Sequence, residues 1–306
     1  MHPLRVVLCA SDLSEASSEA IDQAAQLARA DGASLVVVNV VPALVLTPEP
    51  VGEPAVYPMD AEIIYRQAEE ALARQLQGRP GASAAAPRVL RASGPVVDEL
   101  IRCAGSLGAG LVVVASHRRS LVERALLGST ALALVRRAPC PVLVARPSAQ
   151  RGVVVAATDL SLASLPALRA AVEEARRRGA RLIAVHALDL PPAELTLGNA
   201  VVPAPPDDPR SRPFERRTVE QRLASFLREA EVDAQPLVAE GAAASSIVAL
   251  AEQASVELIA LGTTGSGRLE RALLGSVAEA VVRRAPCSVL TVPARHGPHA
   301  VDLLDE

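Results

Sequence analysis

The sequence consists of two copies of one unit, which limits the fold to two similar domains in tandem. When the chain is compared with itself at an offset of 147 residues, the matching positions align without a gap. The matching pairs include Asp12 and Asp159, Gly94 and Gly241, Gly128 and Gly275, Pro139 and Pro286, and Cys140 and Cys287. We therefore expect one domain over residues 1–147, a second over 151–297, and a polar tail over 298–306.

Each copy alternates short apolar runs with helical patterns, an order typical of α/β proteins. In the first copy the predicted strands are Arg5–Ala10, Leu35–Val40, Pro87–Arg91, Leu111–Ala115 and Pro141–Ala145. In the second they are Val153–Ala157, Arg181–Ala187, Ala234–Ala239, Val256–Leu261 and Ser288–Val292, with a helix over 160–178 and a loop over 188–212. Continuous runs of Val, Leu and Ile indicate parallel strands covered by helices on both faces. We thus predict two doubly wound parallel sheets, each with five strands.

Two prolines predict which strand lies at an edge of each sheet. Pro87 and Pro236 fall in the third strand of the first and second copies. Proline donates no ladder hydrogen bond, so a central strand would not tolerate it. The third strand of each copy is therefore predicted at an edge.

A glycine-rich stretch from Gly262 to Leu290 points to a ligand. It follows the buried strand Val256–Leu261 directly and holds Gly262, Gly265 and Gly267, then Gly275 and Ser276 ahead of a helix from about Val277. Glycines can take a positive φ and let a ligand approach the backbone, and the N–H groups at a helix start suit a phosphate. The same glycines could instead serve only as turn and cap residues. The stretch lacks the Gly-Lys-[Ser/Thr] of a Walker loop, and it follows a fourth strand rather than the first strand required by a dinucleotide fingerprint.

The stretch resembles the signature of the universal stress protein family. Nucleotide-binding members carry G-x2-G-x9-G-[ST], then a helix and an Ala-Pro-Cys-x-Val-Leu strand, and here that strand reads Ala285-Pro286-Cys287-Ser288-Val289-Leu290. The resemblance implies the strand order 3-2-1-4-5 in each sheet and an ATP site, with magnesium, in the second domain. The residues that it implies for this site are Asp159 on adenosine, the Ala187 backbone on adenine, and Gly262, Gly265, Gly275, Ser276 and Val277 around the phosphates. Asp12 and Asp159 could alternatively be helix-capping carboxylates.

The phosphate loop is altered in the first copy. Residues 123–143 match 270–290 at 17 of 21 positions, whereas the eight residues 115–122 match 262–269 at none. Ala115 and Arg118 replace the first two motif glycines, which predicts that the first domain has lost nucleotide binding. As an alternative, Arg118 and Arg119 could hold phosphates in place of backbone N–H groups.

The fifth strand of each copy suggests how the two domains pair. Residues 141–145 and 288–292 are short and apolar, and leaving both exposed would favour aggregation. Members of the family commonly dimerise through this strand. We therefore expect the two domains to pack as an internal pseudo-two-fold pair, with a further homodimer open.

Composition disfavours several classes of function. With a net charge of −3 and four aromatic residues, the chain has neither the basic surface nor the stacking platforms of a nucleic-acid-binding protein. We see no signal peptide and no apolar run long enough for a membrane span, and we expect a cytoplasmic protein. Four widely spaced cysteines predict reduced core thiols, and no metal site or catalytic residue is predicted.

The function that these features favour is an ATP-binding stress-response or regulatory protein. The second domain would hold the nucleotide, the first would be architectural or regulatory, and nucleotide would control interactions with protein partners that the sequence does not identify. One alternative is an enzyme of the same fold that hydrolyses adenine nucleotides or transfers adenylate. Another is a structural interaction module that works without nucleotide.

Overall fold

The computed structural model shows an α/β protein made of two compact units. It describes residues 4–42, 61–82, 84–116, 128–147, 152–188, 194–197, 200–203, 212–264 and 274–294. The first unit comprises His2–Pro147, and the second comprises Ser148–Glu306. Each unit contains five parallel strands with helices packed against them.

The first unit contains five strands and four helices in strict alternation. They are β1 (Val6–Ala10), α1 (Ala16–Asp31), β2 (Ser34–Val41), α2 (Ala61–Leu76), β3 (Ala86–Arg91), α3 (Val96–Ser106), β4 (Leu111–Ala115), α4 (Ser129–Arg137) and β5 (Val142–Ala145). The strands are all parallel and follow the order β3-β2-β1-β4-β5. The predicted order 3-2-1-4-5 is therefore confirmed for this unit.

The second unit repeats the arrangement and adds a hairpin. Its elements are β6 (Val153–Ala157), a 3₁₀ turn (Leu162–Ser164), α5 (Leu165–Arg178), β7 (Arg181–Leu188), β8 (Glu194–Leu197), β9 (Ala200–Pro203), α6 (Arg212–Glu229), β10 (Gln235–Glu240), α7 (Ala243–Gln253), β11 (Val256–Gly262), α8 (Ser276–Arg284) and β12 (Ser288–Val292). The parallel strands follow the order β10-β7-β6-β11-β12. Strands β8 and β9 form a separate antiparallel pair inside 188–212, where we expected only a loop.

The core of each unit is built from small aliphatic side chains on the central strands and the helices over them. Val7, Leu8 and Cys9 of β1 are fully buried, as are Val154 and Val155 of β6. Strands buried on both faces agree with the unbroken apolar runs in the sequence. Proline lies in β3 and β10, the edge strands next to β2 and β7, as predicted.

The first helix of each unit ends at a glycine in the left-handed conformation. Gly32 has φ 66° and Gly179 has φ 60°, and each donates its backbone N–H to the last turn of the helix before it.

The helix predicted over 160–178 starts later than expected. Leu160 takes φ 62°, which a helix excludes, so α5 begins only at Leu165 after the 3₁₀ turn.

All four cysteines are buried thiols outside any disulfide, as the sequence predicts. Burial raises the pKa of Cys140 to about 12 and also raises the pKa of the Cys9 and Cys103 thiols, which favours the unreactive neutral form.

No helix in the described part of the chain is long and apolar enough to cross a membrane.

Candidate functional site

The candidate site lies where strand order reverses in the second unit. Strand β6 pairs with β7 on one side and β11 on the other, so the connections leaving β6 and β11 lie side by side at the carboxyl ends of the strands. A cavity of about 380 Å³ opens there. It is lined by six of the seven predicted site residues, namely Asp159, Ala187, Gly262, Gly275, Ser276 and Val277. Gly265 lies outside the described residues.

Asp159 shapes the loop that follows β6. Its Oδ1 accepts hydrogen bonds from the backbone N–H of Ser161, at 3.1 Å, and from the Ser161 hydroxyl. Leu160, between them, is held at φ 62°, a conformation that costs a side-chain-bearing residue about 1 kcal/mol or more. The carboxylate therefore caps a tight turn rather than the start of α5, while the residue itself remains exposed at the cavity.

The first unit carries the same turn. Oδ1 of Asp12 accepts hydrogen bonds from the Ser14 N–H at 3.0 Å and the Ser17 hydroxyl at 2.6 Å, and Leu13 has φ 65°. The turn is thus a property of the repeated unit. An aspartate at this position does not by itself distinguish a ligand-binding copy from one without ligand.

His186 is a cavity residue that sequence reasoning missed. Its Nδ1 lies 2.9 Å from the carbonyl oxygen of Thr158, the residue immediately before Asp159. A carbonyl oxygen only accepts, so Nδ1 carries the proton, and in the neutral ring Nε2 is an acceptor. At the equivalent place in the first unit, Asn39 Nδ2 donates to the Ser11 carbonyl at 2.9 Å. The alignment of His186 with Asn39 at the 147-residue offset is the sequence feature that could have identified this residue.

Gly262 is not explained by a special backbone conformation. We expected a positive φ, but Gly262 is the last residue of β11 and is absent from the left-handed region. A Cβ there would lie 3.4 Å from the carbonyl oxygen of Thr264 and 3.7 Å from that of Ala163, which are ordinary van der Waals contacts. The fold therefore does not require glycine here, but the missing side chain leaves the backbone accessible from the cavity.

Backbone hydrogen bonds fix both ends of the glycine loop. The Thr263 N–H donates to the Val292 carbonyl at 3.1 Å, and the Gly275 N–H donates to the Thr263 carbonyl at 2.8 Å. The loop thus begins and ends at one point beside the cavity, and the start of α8 lies at the same point.

Helix α8 begins with backbone donors at the cavity. Gly275 is its N-cap, and Ser276, expected just before a helix from about Val277, is instead the first helical residue and makes no capping hydrogen bond. The Glu279 N–H bonds to the Gly275 carbonyl at 2.9 Å, so the N–H groups of Ser276, Val277 and Ala278 precede the first helical hydrogen bond. Such donors at the positive end of a helix dipole are suited to an anion.

No metal cluster accompanies these donors. Within the described ranges, no group of three or more His, Cys, Asp or Glu side chains could hold a metal ion.

The fold and the cavity together place each unit among the doubly wound α/β domains, whose ligands bind at this edge of the sheet. The sequence pattern of the universal stress protein family matches residues 3–146 and again residues 151–293. The chain therefore belongs to the universal stress protein family and carries two of its domains.

Several known universal stress proteins are similar to this chain. A universal stress protein of Mycobacterium tuberculosis is 30% identical over 309 aligned positions, which cover 92% of this chain and 93% of that protein. Another from the same organism is 35% identical over 190 residues, and there the match spans only 61% of the relative's length. A solved universal stress protein from Archaeoglobus fulgidus superposes with a TM-score of 0.65 at 20% identity, covering 94% of this chain and 96% of that one, which supports the fold.

Proposed function

We propose that this protein is an ATP-binding regulatory or stress-response protein whose second domain holds the nucleotide. The observation that carries the proposal is the convergence of Asp159, Gly262 and the start of α8 on one cavity. These groups come from three separate segments of the chain, and each suits a different part of a nucleotide. Family membership supports the same reading.

The phosphates would bind at the start of α8. The N–H groups of Ser276 and Val277 supply donors there, and Gly262 leaves room because it has no side chain. Magnesium, bound with the nucleotide, would neutralise part of the phosphate charge. The Ser276 side chain is exposed and does not cap its own helix, so its hydroxyl is placed to contact the same phosphates.

The adenosine would bind on the opposite side of the cavity. Asp159 is suited to the ribose hydroxyls, since a carboxylate accepts hydrogen bonds strongly. Ala187, at the end of β7, would offer its backbone to the adenine edge. The His186 bond to Thr158 would hold the turn that presents Asp159.

The proposed role is regulatory, with nucleotide occupancy controlling contacts with protein partners. The first domain would serve that role as scaffold or regulator, because its counterpart of Gly262 is Ala115 and the rest of the loop differs. Arg118 and Arg119, the alternative phosphate ligands, lie outside the described residues.

The direct test is to identify what the purified protein carries. Mass spectrometry of ligand released by heat from freshly purified full-length protein should detect ATP or its hydrolysis products. ATP with magnesium should also raise the melting temperature of ligand-free protein, because it binds only the folded state. If no nucleotide is released and none changes the melting temperature, the structural-module alternative replaces this proposal.

A further inference from the structure

The first domain has a cavity at the same place as the candidate nucleotide site. Asp12, Ala115 and Ala131 line it, and their counterparts Asp159, Gly262 and Ala278 line the cavity of the second domain. The volumes differ, however, at about 640 Å³ in the first domain and about 380 Å³ in the second. Both lie in the range typical of small-molecule sites.

The additional volume lies beside α2 and the end of β2. Val41, Pro42, Ile64 and Ala68 line this part of the first cavity, together with the amide of Gln67. Four of these five side chains are apolar, so the enlarged part of the cavity favours an apolar group.

Ser11, Asp12 and Asn39, three polar residues of the cavity, are already hydrogen-bonded to one another or to nearby residues. The Ser11 hydroxyl donates to Gln75 Oε1 at 2.6 Å, and the Asn39 amide donates to the Ser11 carbonyl. Oδ1 of Asp12 accepts from Ser14 and Ser17. A ligand rich in polar groups would find few new partners among these atoms.

Charge and shape also disfavour a polyphosphate. Among the described residues that line this cavity, Asp12 is the one ionisable side chain, and it is acidic. Ala115 also adds a methyl group at the position that Gly262 occupies in the second domain. An uncharged molecule avoids both penalties.

From the larger volume, the apolar lining beside α2 and the acidic Asp12, we propose that the first-domain cavity binds an uncharged, mainly apolar small molecule. The ligand would be a lipophilic compound with at most one or two polar groups. Such a site gives the protein a second input, chemically distinct from nucleotide and located in the other domain. The proposal does not depend on whether the second domain binds ATP.

The test is a fluorescence titration of full-length protein with N-phenyl-1-naphthylamine, a neutral aromatic probe. Ala131 and Ala278 are buried counterparts that line the two cavities, so Ala131→Leu and Ala278→Leu form a matched pair. We expect one saturable probe site per chain, weakened about tenfold or more by Ala131→Leu because the larger side chain occupies the cavity, and little changed by Ala278→Leu.

A second variant protects the test against a folding defect. Ala68→Leu fills the enlarged part of the cavity from α2 and should also weaken probe binding, while circular dichroism confirms that each variant is folded. ATP with magnesium should not displace the probe. Absence of saturable binding would overturn the proposal. So would equal loss of binding in the Ala131 and Ala278 variants, or displacement of the probe by ATP.

Discussion

His186 and Asn39 perform the same task with different side chains. Each donates a hydrogen bond of 2.9 Å to the backbone carbonyl of the residue that precedes the turn shared by the two domains. Thr158 is almost completely buried, so its carbonyl has little access to water as an alternative donor. The bond therefore fixes the turn that presents Asp159 at the cavity.

Two substitutions of His186 distinguish the effect of its hydrogen bond from the effect of its imidazole ring. His186→Asn copies the first domain and keeps a donor, so stability and ATP affinity should change little. His186→Ala leaves the Thr158 carbonyl without this donor and should lower the free energy of unfolding of the second domain by about 1–3 kcal/mol. Urea unfolding measures both variants. Equal destabilisation by Asn and Ala would show that the ring, rather than the hydrogen bond, matters.

Gly262→Ala copies Ala115 into the second domain and tests the space beside β11. The new Cβ would lie 3.4 Å or more from neighbouring backbone atoms, so the fold should accept it. It would protrude between the two loops that form the cavity, and we expect ATP affinity to fall about tenfold or more. The matched control is Ala115→Gly, which should leave ATP affinity unchanged. Normal binding by Gly262→Ala would mean that the ligand does not approach this backbone.

At the scale of elements, α5 is anchored to the sheet by buried charges. Glu174 accepts from Arg177 at 2.7 Å and Arg178 at 3.1 Å, and Arg178 also reaches Glu257 of β11 at 3.6 Å. Glu257 in turn accepts from the Gly152 N–H ahead of β6. The first domain has a buried leucine, Leu27, in place of Glu174.

Glu174→Ala should strongly destabilise the second domain. Removing one member of a buried network leaves uncompensated charge, at a cost of about 3–5 kcal/mol. The control is Glu173→Ala on the same helix, where the Arg176 partner is 72% exposed and the loss should be about 1 kcal/mol or less. Urea denaturation of the full chain measures both. Similar small effects from the two variants would contradict an anchoring role for the network.

The repeating elements could be predicted from the sequence, but their side-chain networks could not. Pro87 and Pro236 identified the edge strands, because proline imposes a local backbone constraint. Glu174 resembles any charged residue on a solvated helix face, since its partners Arg177 and Arg178 lie one turn along the same helix and only tertiary folding brings Arg178 to Glu257 of β11. The positive φ of Leu160 could not be predicted from its residue type, because the hydrogen-bonded turn formed by Asp159 imposes that conformation.

The positions of the candidate site residues could likewise be predicted from the sequence, but their tertiary contacts could not. The positions of Gly262, Gly275 and Ser276 followed from motif spacing, and the structure brings them to one cavity with Asp159. The proximity of Gly262 to Ala163 could not be predicted from motif spacing, because it is a tertiary contact. The hairpin of β8 and β9 was also missed, within the segment 188–212 that we predicted as a loop.

At the scale of the whole molecule, duplication provides two copies of one ligand position with different linings. The second domain keeps glycine at the end of its fourth strand, where the first has alanine and a larger cavity extended by apolar residues. We therefore propose that each domain responds to its own ligand. We predict that nucleotide binding belongs to the second domain alone.

Calorimetric titration of the ligand-free full-length protein with ATP and magnesium tests this claim most directly. We predict one nucleotide per chain, with binding weakened by Gly262→Ala and unaffected by Ala115→Gly. Two equivalent sites per chain would contradict the division between the domains. Absence of binding to folded protein would contradict the proposed nucleotide site itself.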